Sequence, residues 1–331
     1  MHPRDVLLGP QAAGNSLAVC DHYSGVDVRM VKSLALQAEL IQEFGACVMD
    51  VTLDCEDGAA AGAEKNHANM VVSLINNAQT AINNIATRIA VRVHPVGHPA
   101  FDDDVQIIVG QVGSRLSHVM IPKVESLVDV QRAAAALDAA SAPRLPLHVL
   151  IESPLAVHNA FDIAAHPRVQ SLSFGLMDFV SAHGGAIPAE GMGVQGQFSH
   201  PLVLRAKLEI ASACHAFGKV PSHCVVTEFK DTAAVEQAAL RAARELGYTR
   251  MWSIHPDQVR PILKAFAPSE HDIEQAIRVI EAAMRAQWAP ISVDKQLHDR
   301  ASYRYYWQLL ERAYHTGHRL PASMQAFFVT H

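Results

Sequence analysis

Six apolar stretches of this 331-residue chain end in residues able to hold or move charge. They are Glu56 and Asp57 after VMDVTLDC, Arg92 in IAVRVHP, Lys123 in HVMIPK, Glu152 in LHVLIES, Asp178 in SLSFGLMD and His255 in MWSIHP. Glu152 and Asp178 offer hard carboxylate oxygens, the donors Mg2+ takes while keeping positions for water and a chelating substrate. Arg92 carries a rigid guanidinium fork that fits a substrate carboxylate or an oxygen gaining charge in an enolate. Glu56 and Asp57 suit a supporting role, orienting Arg92 and hydrogen-bonding metal-bound water, and an ion pair between them and Arg92 is compatible with that role. Asp54 shares strand parity with Glu56, so both are expected to face inward while Asp57 belongs to the loop. Lys123 could form a Schiff base, but Glu125 is near enough in sequence to pair with it, and a structural lysine is expected. His255, followed by Pro256, is expected to shape a turn.

Repeated strand and helix patterns position these residues. LAVCD at 17–21 and VRMVKSLALQAELIQEFG, closed by Gly45, form the first unit. VMDVTLDCE pairs with a helix from about Ala63, IAVRVHP with DDDVQIIVGQVG, and HVMIPKV with SLVDVQRAAAALDAA, where Ser126 and Asp129 are spaced as a capping box. RLPLHVLIES precedes PLAVHNAFDIAAH, with Pro154 at the helix start. VQSLSFGLMD is separated from LVLRAKLEIASACHAFG by a long Gly-rich stretch, a candidate active-site loop. VPSHCVV with DTAAVEQAALRAARELG, and RMWSIHP with DQVRPILKAFA, complete eight units, and Pro261 is expected in the first turn of the last helix. Eight βα units with polar residues at strand ends predict a TIM (β/α)8 barrel over 1–268. A C-terminal helical extension over 269–331 carries most of the tyrosines, and its aromatic face could pack on its own barrel or on a neighbour.

Half the residues are hydrophobic and the net charge is -6 with no basic run, which argues against nucleic acid or an acidic membrane surface as partner. No secretory leader pattern and no membrane-length apolar window are apparent, so a cytoplasmic protein is expected. The five cysteines show no CxxC spacing and read as buried thiols. Of the 19 histidines, His94, His98, His183, His200 and His223 fall in presumed loops without zinc-site spacing. No phosphate-cradling glycine motif appears in a strand-to-helix context.

In order, LDCEDGAAAGAEK, VRVHP, MIPKVES, LIESPLAV, FGLMDF, IHPDQV and VDKQLHDRAS resemble the citrate lyase β-subunit-like branch of the HpcH/HpaI aldolase/citrate lyase superfamily, related to malyl-CoA lyases. The likeness runs from about residue 16 to about 300. It implies a TIM barrel that binds Mg2+, or Mn2+ in its place, and makes or breaks a carbon–carbon bond beside a carboxylate or thioester. By position, Glu152 and Asp178 correspond to the metal ligands, with Glu152 also at the substrate, Arg92 to the substrate-binding arginine, and Glu56 and Asp57 to the acidic pair that supports the metal-bound waters. Asp299 corresponds to an acid/base group placed over a neighbouring subunit's site, which implies a homo-oligomer, trimer or hexamer. The first-strand loop CDHYSGVDVRMVK, His94, Cys55 and Asn69 depart from the family pattern.

The function expected is a Mg2+-dependent aldol- or Claisen-type lyase acting on a 2-hydroxy acid or its CoA thioester through an enolate. The alternatives are a CoA-independent aldolase or acyl hydrolase on a free keto or hydroxy acid, or a non-catalytic metal- and acid-binding subunit.

Overall fold

The computed structural model describes residues 2–8 and 17–328. Eight parallel strands close into a barrel: β1 (Cys20–Ser24), β2 (Met49–Asp54), β3 (Ile89–Arg92), β4 (His118–Ile121), β5 (Leu147–Ile151), β6 (Val169–Phe174), β7 (Val220–His223) and β8 (Arg250–Ser253). Each strand pairs with its sequence neighbours, and β1 pairs with both β2 and β8. The TIM-barrel expectation is therefore met. β1 begins three residues later than LAVCD predicts, because Leu17, Ala18 and Val19 precede the strand.

Alternate residues of each strand face helices or barrel interior. Outward-facing Val51, Leu53, Val91, Val119, Val149 and Ile151 join the main apolar core. The interior is polar where strands begin: Asp21, Asp50, His118, His148 and Arg250 are all buried there. It is charged again where strands end, because register sets Asp54 of β2 beside Arg92 of β3.

Local chemistry fixes where the helices start. Ser126 and Asp129 form the expected capping box on Leu127–Ala139. Ser153 caps Pro154–His158 by accepting from the Ala156 amide, with Pro154 in the first position. Gly45 ends Asp27–Phe44 with a left-handed φ of 65°. Pro261 departs from expectation: it is the sixth residue of Pro256–Phe266, inside the helix, so the Asp257 carbonyl loses its usual amide partner. DDDVQIIVGQVG also differs, as the helix Phe101–Asp104 widens into a π turn at Val105–Val109. PLAVHNAFDIAAH breaks at Asn159, whose side-chain amide donates to the Glu125 carbonyl at 2.8 Å.

After the barrel come the helix Glu270–Arg285, a hairpin of Ile291–Val293 with Gln296–His298, and the helix Arg300–His315. Tyr303, Trp307 and Tyr314 of the last helix are buried within the chain, so the aromatic face packs on its own molecule, while Tyr305 stays exposed. Among the described residues no helix is long and apolar enough to cross a membrane.

Candidate active site at the barrel mouth

Arg92 ends β3 almost fully buried, and four side chains meet its guanidinium. Nε and one terminal nitrogen donate to the two Asp54 oxygens at 2.6 and 2.9 Å. Glu56 lies 2.8 Å from the other terminal nitrogen, and Asp57 accepts at 2.6 Å. The Tyr23 hydroxyl also touches the guanidinium, and the Tyr23 ring lies 4.5 Å away, backed by Trp252. Burial works to lower the Arg92 pKa, but Asp54 above all, with Tyr23 and Glu56, holds it ionised well above the usual guanidinium value. Glu56 goes the other way, because burial raises its pKa more than Arg92 and Lys123 lower it.

This crowding depends on a close backbone approach. A Cβ on Gly58 would stand 2.3 Å from both the Asp54 and Gly25 carbonyls. Only glycine lets the β2 loop lie against the β1 loop, which brings Asp57 to Tyr23 at 3.2 Å.

Glu152 follows β5 and is nearly buried, whereas Asp178 is exposed in the first turn of the helix Leu176–Ser181. Burial pushes the Glu152 pKa up to about 8, and the Asp178 charge adds to the rise. Among the described residues Glu152 forms no ion pair, although the more distant Arg92 charge favours its ionised form, and two hard oxygen donors at the mouth of a barrel fit Mg2+ or Mn2+. Gly175 leaves room for the Glu152 side chain, since a Cβ there would meet it at 2.6 Å.

Lys123 differs from the sequence expectation. Its ammonium reaches Glu56 at 2.6 Å rather than Glu125, which instead accepts from the Ser153 hydroxyl at 2.5 Å. The Lys123 amide donates to Glu152 Oε1 at 2.7 Å. Burial would lower the Lys123 pKa, but Glu56 outweighs it, and the Glu152 and Asp178 charges act in the same direction. Arg92, Glu56, Asp57, Lys123, Glu152 and Asp178 thus share one electrostatic site. His255 caps its own helix at the Asp257 amide and stacks on Phe229, the shaping role expected of it.

Two residues past Arg92, His94 Nδ1 lies 2.6 Å from Asp104 Oδ2, and the His94 amide donates to the same oxygen. The hydrogen bond to Asp104 raises the His94 pKa, overcoming its burial. His223 is not in a loop but ends β7, buried against Lys207 Nζ at 2.8 Å.

Asp299 caps the helix Arg300–His315, accepting from the Ala301 and Ser302 amides. Among the described residues it makes no hydrogen bond or ion pair with Arg92, Glu152 or Asp178.

Among the described residues, Asp21, His118 and His148 have ligand atoms within 4.8 Å of one another. Arg250 already lies 3.0 Å from Asp21 and 2.8 Å from Asp50, and the two imidazoles stack at 3.4 Å. A divalent ion would bury extra positive charge beside a guanidinium, so this cluster is a structural polar layer.

Sequence reasoning placed Asp54 inside the barrel but missed it as the main partner of Arg92, and it missed Tyr23, Gly175 and Asp104. Asp54 carried a signal in its parity with Glu56. The others depend on contacts between strands or between a strand and a distant helix.

A closed barrel with an acidic and guanidinium cluster at its C-terminal mouth defines a class of enzyme that handles small anionic substrates. Residues 31–256 match the HpcH/HpaI aldolase/citrate lyase family, and the chain belongs to that family, as a carbon–carbon lyase. L-malyl-CoA/beta-methylmalyl-CoA lyase of Cereibacter sphaeroides is 30% identical over 266 residues, covering 75% of this chain and 80% of that protein. A citrate lyase subunit beta-like protein of Deinococcus radiodurans is 30% identical over 253 residues, covering 76% and 83%. Among solved structures, a citrate lyase from Burkholderia xenovorans LB400 is 45% identical with TM-score 0.79, covering 99% of each chain. CitE from Mycobacterium tuberculosis, in complex with magnesium, acetoacetate and coenzyme A, is 23% identical with TM-score 0.63, covering 90% of this chain and 99% of that one, and shows the shared fold.

Proposed function

We propose that this chain is a Mg2+-dependent lyase that breaks or forms the carbon–carbon bond of a 2-hydroxy acid or its CoA thioester. The observation that carries the reading is the Glu152 carboxyl, nearly buried beside Asp178 with its pKa raised to about 8. Glu152 and Asp178 would hold the ion, with Mn2+ as a substitute. When bound, the ion supplies a Lewis acid that polarises substrate carbonyl or carboxylate oxygens.

Arg92 binds the substrate carboxylate or steadies developing enolate charge. Asp57, whose side chain is 70% exposed, is the partner that can yield to the substrate, while buried Asp54 holds the fork in place. Glu56 is shared between Arg92 and Lys123 and keeps the arginine aligned. Bond cleavage needs a proton taken from the substrate hydroxyl and another delivered to the enolate carbon. Asp299 is assigned one of these transfers in the site of a neighbouring subunit, because within its own chain it only caps a helix. This assignment makes the working form a homo-oligomer, trimer or hexamer, with residues 1–268 as catalytic domain and 269–331 as the extension that reaches across.

The malyl-CoA lyase relatives and the magnesium-containing neighbour support an acyl-CoA or small carboxylate substrate. Thermal stability would be measured with Mg2+ plus oxaloacetate, pyruvate, glyoxylate or acetyl-CoA, since a ligand selective for the folded state raises the melting temperature. Turnover of malyl-CoA would be compared with that of free hydroxy acids. Stabilisation by Mg2+ and cleavage of malyl-CoA at its carbon–carbon bond, with the thioester left intact, are expected. Stabilisation by keto acids alone, with turnover of free acids, would replace the CoA reading by the CoA-independent one. No Mg2+ effect and no turnover would overturn both. Asp299→Asn should abolish turnover while Mg2+ still binds, and mixed oligomers of Asp299→Asn with Arg92→Lys should regain part of it.

A further inference from the structure

Beneath the barrel, at the opposite end from Arg92 and Glu152, a cleft of about 820 Å3 opens between the N-terminal strand ends and the helix Arg300–His315. Its charged lining is lopsided. Arg4, Arg144, Arg168, Lys219 and Arg312 face it, with Glu311 as the one acidic side chain among its described lining residues. The chain as a whole carries net charge -6, so five cations around one cleft are out of keeping with its surface.

Some of these charges are matched. Arg4 pairs with Glu311 at 3.3 Å, Arg168 with Asp138 at 2.5 Å, and Lys219 reaches the His166 carbonyl at 3.3 Å. Arg144 and Arg312 have neither a carboxylate nor a hydrogen-bond acceptor among the described residues. Arg312 is partly buried, and that burial lowers its pKa. A guanidinium withdrawn from water without an acceptor is costly, so the arrangement favours an anion brought from outside. Leu8, Leu17, Val19 and Phe217 add apolar wall beside the cations.

We propose that this cleft binds a phosphorylated small molecule with at least two negative charges and an organic part, of the nucleoside diphosphate class. The phosphates would lie between Arg312 on the last helix and Arg144 and Lys219 on the barrel floor, with the organic part against the apolar wall. Such a ligand would fasten the extension to the barrel.

The test uses the full chain in its native oligomer, in EDTA so that phosphates cannot bind through a metal at the mouth. ADP and pyrophosphate are titrated by calorimetry at about 0.15 M salt, where surface attraction is screened. Saturable binding of ADP is expected, weakened at least tenfold in the double variant Arg144→Gln/Arg312→Gln and unchanged in Glu152→Gln. Lys219→Gln, a milder change, should weaken binding at least threefold and serves if the double variant fails to fold. Absence of saturable binding would overturn the proposal. So would ADP binding that survives the floor substitutions, or that is lost in Glu152→Gln.

Discussion

The backbone amide of Lys123 donates a 2.7 Å hydrogen bond to Glu152 Oε1, and Lys123 adopts a left-handed φ of 51°. A non-glycine residue pays for that conformation. The strain turns the amide toward the carboxylate while the side chain reaches Glu56.

Backbone and ammonium can therefore be separated by substitution. Lys123→Gly keeps the amide and relieves the strain, so Mg2+ affinity should stay within about threefold. Lys123→Val places a β-branched residue at positive φ and should cost about 1–3 kcal/mol of stability, with a weaker metal site. Urea unfolding and Mg2+ titration of both variants decide this. Equal loss in the two would show that the ammonium, not the amide, matters to Glu152.

Gly175→Ala puts a methyl 2.6 Å from the Glu152 Cβ and 2.7 Å from its Oε2. The carboxylate must move, and Mg2+ affinity should fall at least tenfold. Wild-type affinity in this variant would remove Gly175 and Glu152 from the metal site.

Metal binding should release a proton. The Glu152 carboxyl is raised to about 8, chiefly by burial, so it is largely protonated at pH 7, and Mg2+ must displace that proton. Affinity is expected to rise about tenfold per pH unit below 8 and then level off. Without metal the sign is the reverse. The unfolded chain ionises this group from about pH 4.5, so its contribution to stability declines as pH rises toward 8. Calorimetry in two buffers of different ionisation enthalpy measures the proton count, and a count of zero at pH 6 to 7 would contradict the assignment.

Asp54 and Asp57 both hold Arg92 but should differ in weight. Asp54→Asn leaves a buried guanidinium without its bidentate partner and should cost about 3–5 kcal/mol. Asp57 is mostly exposed, and Asp57→Asn should cost below about 1 kcal/mol. Denaturant midpoints of the two variants would reveal equal costs if this ranking is mistaken.

Acid should destabilise the fold through its buried histidines. Burial lowers His22 to about 4 and His148 to about 3, and pulls His118 and His223 well down. The unfolded chain takes up protons from about pH 6.5 while these rings stay neutral in the fold. Stability is therefore full above that value and falls as pH drops toward 4, by up to about 1.4 kcal/mol per pH unit per histidine. His94, raised by Asp104, opposes this modestly around neutrality. Urea unfolding midpoints that stay flat from pH 7 to 5 would rule the effect out.

The sequence alone determined the barrel, its eight units and the placing of Arg92 and Glu152 at strand ends, whereas Asp178 lies beyond β6, in the first turn of a helix. Alternating apolar residues and capping signals act over a few residues and can be read locally. It misplaced the Lys123 partner because Glu125 is near in sequence, whereas Glu56 is near only after β2 and β4 curve around the same mouth. His223 and Tyr23 were obscured in the same way. Tertiary structure also decided that Asp54 outranks Glu56 as the Arg92 partner, that Gly58 lets two loops touch while Gly175 leaves room for the Glu152 carboxylate, and that five cations gather beneath the floor. Closing a barrel brings together residues tens of positions apart, and the charges each side chain then meets are set by strand register and helix packing rather than by its neighbours in the chain.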